Sequence, residues 1–284
     1  MNHMRSYLLA ITICLPLVEG MAQSFRKILE RPVNIIRSAW EKDQNGNTVL
    51  NYYNDDYCHY YLYQVNDKCY KLIPGKNTVF RDDKQSQVTN STYKSESPGS
   101  TQYSVSYMYF RGSFPKSFNI NTPYALPVKN GMKTGWKTDV RESYKTLRFR
   151  IAQGDTVYAT RGGVACSTVL PRQLLIYHAD CTFAAYLAMD KNFISPGDEV
   201  HTGQPVGIAG SAGVPISFFF LDENKFAGME ASGYAYSHFI PVFRTADGDK
   251  KLEEKVMYEA LVNDELIMLD MNKREQKKYL KHKR

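Results

Sequence analysis

The sequence predicts a mainly β protein: an N-terminal antiparallel β-sandwich-like domain, a second antiparallel β domain, and a C-terminal helix. Three observations carry this. Short runs rich in Val, Ile, Tyr and Phe recur along the 284 residues, bounded by Gly, Pro, Asn or Asp, which is the pattern of strands joined by tight turns. That punctuation is densest in residues 196–221, where turns at Gly197-Asp198, at Gly203 and at 210–215 separate apolar runs at 204–209 and 216–221. The period changes only near the end. Leu266, Ile267, Leu269 and Met271 fall at helical spacing within residues 264–281, and Asp264 and Glu265 sit in the first turn, where acids favour the helix dipole.

Taken in order, residues 1–22 combine Arg5, an apolar run at 7–18 and a small-x-small end at Gly20-Met21-Ala22. This reads as a secretory signal peptide cleaved before Gln23, since the run is short for a membrane span. The mature chain is therefore expected outside the cytoplasm, periplasmic or extracellular. It keeps four cysteines, Cys58, Cys69, Cys166 and Cys181. An even count in an exported chain suggests disulfides. Local pairing, Cys58 with Cys69 and Cys166 with Cys181, is expected, and the absence of C-x-x-C spacing argues against a Cys-rich metal site.

Residues 23–120 read as the first β domain, with Tyr-rich strands in 48–65 and 104–110, a break at Asn54-Asp55-Asp56 and a polar surface loop at 81–102. Its tyrosines fit a glycan-stacking surface or, more simply, half-exposed sheet faces. The second β domain spans 121–246, with Tyr124 to Val128 closing the linker. Residues 247–284 add a strand at 256–262, the helix and a basic tail. Lys273, Arg274, Lys277, Lys278, Lys281, Lys283 and Arg284 against the single Glu275 supply nearly all of the chain's +7 excess charge. The body is near neutral, so the pI of about 9.0 gives no argument for nucleic acid. Weak contact of the tail with an anionic envelope surface and a solvated helix end both account for it.

The second domain carries a specific motif: Gly197-Asp198-x-Val200-x-x-Gly203-Gln204-x-Val206-Gly207-x-x-Gly210-x-Ala212-Gly213. Upstream lie Gly154-Asp155-Thr156-Val157-Tyr158-Ala159, then Gly162-Gly163-Val164, Ile176-Tyr177-His178 and the strand 182–187. Together these resemble the lysostaphin/LytM-type murein zinc endopeptidases over roughly residues 122–245. In that family a His and an Asp four residues apart, with the second His of an H-x-H strand, hold zinc. The H-x-H strand's first His and a His in a Y-x-H-L strand do the chemistry. The matching positions here are Tyr144 and Arg148 for the first pair, Ile216 and Phe218 for H-x-H, and Tyr186 for the last His.

Zinc takes His, Cys or carboxylate donors, and a catalytic site needs three of them with one position open. Phe and Ile offer no donor atom, and Arg repels a cation. The resemblance thus implies the scaffold without its chemistry: an exported pseudoenzyme of the cell envelope, without cofactor, that binds peptidoglycan or regulates a wall hydrolase. Tyr144, Arg148, Tyr186, Ile216 and Phe218 are expected to line one groove, with Arg148 ready for an anion or a peptide carboxylate. The alternative is an active zinc metalloendopeptidase cutting peptidoglycan cross-links. The sequence contains no H-x-H. His178 and Asp180 share a strand face and invite a metal reading, but in the resembling family this His is not a ligand.

Overall fold

The computed structural model describes residues 25–42, 44, 46, 48–64, 68–74, 107–138, 146–227 and 234–283. The expected signal peptide, the polar loop, Tyr144 and Arg284 lie outside the described residues, as does the side chain of Cys69.

An eight-stranded antiparallel sheet forms the centre. Its order runs Glu199–Val200, Gly163–Cys166, Leu174–Tyr177, Thr182–Tyr186, Val214–Leu221, Leu147–Phe149 and Trp136–Thr138, with Tyr236–His238 pairing to the far end of Val214–Leu221. The sequence VPISFFFL is apolar at both parities, so this strand needs cover on both faces. It has it. Ile216 and Phe218 join Leu147, Phe149, Ile176 and Tyr186 in one core, closed by Tyr124, Phe239 and Phe243. Phe219 and Leu221 join Leu175, Phe183 and Ala185 in a second, closed by Phe25, Ile28, Tyr60, Leu62 and Phe110. Side chains buried this fully each contribute about 1.5–3 kcal/mol of transfer free energy.

The mainly β architecture and the C-terminal helix are as expected, but the N-terminal region differs. Its described strands form a hairpin, Ile36–Lys42 with Thr48–Asn54, and a three-stranded sheet ordered Lys68–Leu72, Tyr60–Gln64 and Tyr107–Arg111. Rather than folding onto themselves as a sandwich, these strands cover the second face of the central sheet and share its core. The physical reason is the central strand, whose second apolar face would otherwise meet water.

The expected helix is broken into Asp264–Met268 and Lys273–His282. Asn272 caps the second helix in a capping box: its side chain accepts from Arg274 and Glu275 backbone N–H groups while Glu275 reaches back to the Asn272 N–H, 2.9 Å. The expected strand at 256–262 is reduced to Tyr258–Glu259, paired with Lys133–Thr134.

The pairing of Cys166 with Cys181 is corrected by the register. Cys166 lies opposite Leu175, whereas Cys181 sits in the turn beyond the Tyr177–Phe183 pair. Strand rise alone separates the two levels by about 7 Å or more, past the reach of a disulfide. No disulfide links Cys58, Cys166 or Cys181 in this structure.

Candidate functional site

Antiparallel pairing of Trp136–Thr138 with Leu147–Phe149 sets Trp136 opposite Phe149 and Lys137 opposite Arg148. Trp136 and Phe149 turn into the first core. The alternation of a strand then sends Lys137 and Arg148 to the other face. Two like charges directly across a ladder repel, which costs stability unless an anion intervenes. Among the described residues neither is ion-paired to a carboxylate.

Two more cations reach the same place. Arg150 is fixed by its backbone, whose N–H donates to the Gly135 carbonyl (2.8 Å) and whose carbonyl accepts from Thr134 Oγ1 (2.9 Å). Lys255 stands in a left-handed turn, φ 67°, held by its N–H on the Trp136 carbonyl (2.9 Å). The loop Ser211, Ala212 and Gly213 closes the opposite side. Gly213 is required there: its φ is +75° and a Cβ would fall 2.6 Å from the Phe149 carbonyl oxygen.

The result is an open cleft of about 430 Å³, lined by Lys137, Arg148, Arg150 and Lys255, with no carboxylate among its described lining residues. Its chemistry suits a carboxylate or phosphate, which a guanidinium grips with two parallel hydrogen bonds.

Of the four expected groove residues that are described, only Arg148 lines this cleft; Tyr144 lies outside the described residues. Tyr186 lies opposite Ile216 across the ladder, and Phe218 follows two residues on, so all three share one face as the alignment requires. They do not line a groove, however, because all three are fully buried in the first core. Arg148 is opposite Pro215, one residue out of phase, and so belongs to the other face. Phe218 packs edge-on against Tyr124, centroids 5.3 Å apart, with Phe239 and Phe243 at 6.1 and 6.0 Å. The Tyr186 hydroxyl is occupied by the Thr160 N–H (2.7 Å) and Thr160 Oγ1 (2.9 Å). These residues do not fit zinc: two lack a donor atom and the third has spent its oxygen.

The histidines are held separately. His59 Nδ1 meets the Tyr177 hydroxyl, His238 bonds Ser217 and Tyr234, and His178 Nδ1 donates to the Gly162 carbonyl at 2.7 Å. Asp180 is occupied by Arg161 Nη1 (2.7 Å) and the Thr182 hydroxyl (2.7 Å), which removes the metal reading of His178 and Asp180. Arg161 also holds Asp270 through Nη2 (2.6 Å) and Nε, and donates to the Tyr124 hydroxyl (3.0 Å). This buried network was not visible in the sequence.

His178 yields a pH prediction. It is buried, with Nε2 unpartnered, and burial followed by the charge of Arg161 pulls its pKa from 6.5 to about 4, against weaker opposing pulls from Asp180 and Asp270. A folded pKa below the unfolded one means that acid favours the unfolded chain. The loss runs from about pH 6.5 down to 4 and reaches about 3 kcal/mol for this residue. Asp180 moves in a different window. Burial raises its pKa, but the Arg161 charge and the hydrogen bonds from Thr182 and Arg161 outweigh that, so its contribution is lost only below about pH 4. His59, half-buried and also drawn down to about 4 by burial and Lys71, adds a smaller share. Melting curves between pH 7 and 4 should show a falling Tm that His178→Asn flattens in part. An unchanged slope would remove His178 as the cause.

No family model matches the chain, and no curated protein sequence matches it. Among solved structures, similarity extends to a peptidase M23 from Pseudomonas aeruginosa, with 12% identity over 70% of this chain and 92% of that one at a TM-score of 0.28. A zinc-containing peptidase from Vibrio cholerae is similar at 12% identity over 65% of this chain and 75% of that one, with a TM-score of 0.26.

Proposed function

We propose that this protein is an exported, non-catalytic LytM-like binding protein of the cell envelope, and that the cationic cleft holds an anionic group of the wall, a peptide carboxylate first. The supporting observation is Lys137 directly opposite Arg148 in a cleft with no carboxylate among its described lining residues. Such a like-charged pair is unfavourable alone and relieved by a bound anion. The motif resemblance supports the wall as its source. Burial of Tyr186, Ile216 and Phe218 supports binding without turnover, since metal-assisted hydrolysis needs a metal-activated water that these residues cannot assemble.

The test is co-sedimentation with purified peptidoglycan together with zinc analysis and a muropeptide digestion assay. Binding should weaken with salt, because exposed charges are screened beyond about 8–10 Å at physiological ionic strength. Reversing two charges with Arg148→Glu and Arg150→Glu should lower affinity about tenfold or more and leave the Tm within a few degrees, as both side chains lie outside the core. Unchanged binding by that variant would remove the cleft from the reading. One zinc per chain with chelator-sensitive cleavage would replace it with the peptidase.

A further inference from the structure

On the face of the central sheet away from Tyr186 and Phe218, two cysteines meet. Cys58 follows the strand break at Asn54, and Cys166 ends the strand Gly163–Cys166. Both are buried, at 0% and 3% exposure, and their sulfurs lie within 4.8 Å of each other and of an Asp56 carboxylate oxygen. We infer that Cys58 and Cys166 form a disulfide that ties the N-terminal strands to the central sheet.

The neighbours favour this over a metal ion. Both Asp56 oxygens are taken: Oδ1 accepts from the Tyr57 and Ser167 N–H groups (2.9 Å each), and Oδ2 accepts from the Tyr60 hydroxyl (2.7 Å). The fully buried Arg111 guanidinium stands 3.7 Å from Asp56 Oδ2. Its charge already balances the carboxylate, so the site has no net negative charge for a cation. A disulfide is neutral, as are the two thiols it replaces, so oxidation leaves that balance intact.

In the reaction, one thiolate attacks an external disulfide, that of oxidised glutathione or of a thiol oxidoreductase, to give a mixed disulfide and one free thiol. The second cysteine, also deprotonated, then displaces the other external thiol. Two protein S–H bonds are lost, one S–S bond forms, and the oxidant is reduced to two thiols. Burial raises the Cys58 pKa and shields both sulfurs. The exchange therefore takes place during folding, before the N-terminal strands close on the sheet, and the finished bond resists reductants. The pairing is independent of what the cleft binds.

The full chain is unfolded with reductant, refolded in oxidised and reduced glutathione, alkylated and digested without reduction. The expected product is one cross-linked pair of peptides carrying Cys58 and Cys166, lighter than the two thiols by two hydrogens. Cys166→Ser should lower the Tm by roughly 5–15 °C relative to the oxidised protein, because the bond spans on the order of a hundred residues of chain. That difference should shrink when the wild type is refolded under reductant. Alkylated Cys58 and Cys166, a link from either to Cys69 or Cys181, or zinc bound by the reduced pair would each overturn the inference.

Discussion

Replacing Arg111 by Met should destabilise the fold by about 3–5 kcal/mol, the usual cost of breaking a buried pair by removing one partner. For a chain of this size that lowers the Tm by roughly 10 °C or more. Arg111 is fully buried, donates from Nη2 to the Ser167 carbonyl (2.7 Å), faces Asp56 and lies over the Tyr60 ring, 5.7 Å from its centroid. Its own backbone N–H donates to the Tyr236 hydroxyl (2.7 Å). It therefore touches both the N-terminal strands and the central sheet. Without its charge, the buried Asp56 carboxyl has lost the cation beside it. Adding Asp56→Asn to the variant should recover part of the loss, since the uncompensated charge is then gone. Thermal melts of the single and double variants check this. Equal destabilisation by both would show that Arg111 acts through packing alone.

The second large effect concerns rebuilding the family's H-x-H strand. Ile216→His with Phe218→His should cost about 3–5 kcal/mol and gain no zinc. Both positions are fully buried in the first core, where an imidazole exchanges apolar contacts for an unsatisfied polar group. The neighbours are Tyr124, Phe239 and Phe243, none of which supplies a metal donor suited to zinc. Phe218→Leu, which keeps the site apolar, should cost considerably less. Melting curves and metal analysis together decide it. A double-His variant with wild-type Tm and one bound zinc would mean that the core reopens to solvent.

The strands were legible because their signals are local. Gly, Pro and Asp punctuation placed the central strand and its neighbours, and two-faced apolarity marked 216–221 as buried, within a strand that runs Val214–Leu221. The phase of Tyr186, Ile216 and Phe218 was legible through the motif, since period-2 alternation fixes which residues share a face once the pairing is right. What covers that face was not. Tyr124, Phe239 and Phe243 come from segments far apart in sequence and turn an expected groove into core.

The cleft was half legible. Arg148 was singled out, but Lys137, Arg150 and Lys255 reach it through a ladder partner and two backbone turns that no local pattern announces. The break after Asp264–Met268 did have a signal. Asn272 with Glu275 three residues later is a capping box, outweighed in reading by the apolar spacing around it. Arg111 ends an apolar strand, a place where a charge is ordinarily taken as exposed.

The Arg161 network also bears on when the molecule can finish folding. One carboxylate partner, Asp180, lies 19 residues away, but the other, Asp270, lies 109 residues further along the chain. Until residue 270 has been made, half of the negative charge that allows Arg161 to be buried does not exist, and sealing it away early is unfavourable. The final helices thus act as a closing clasp rather than an appendage. The neighbourhood of Arg161 is therefore the part of the fold expected to close last, once the segment that carries Asp270 has docked.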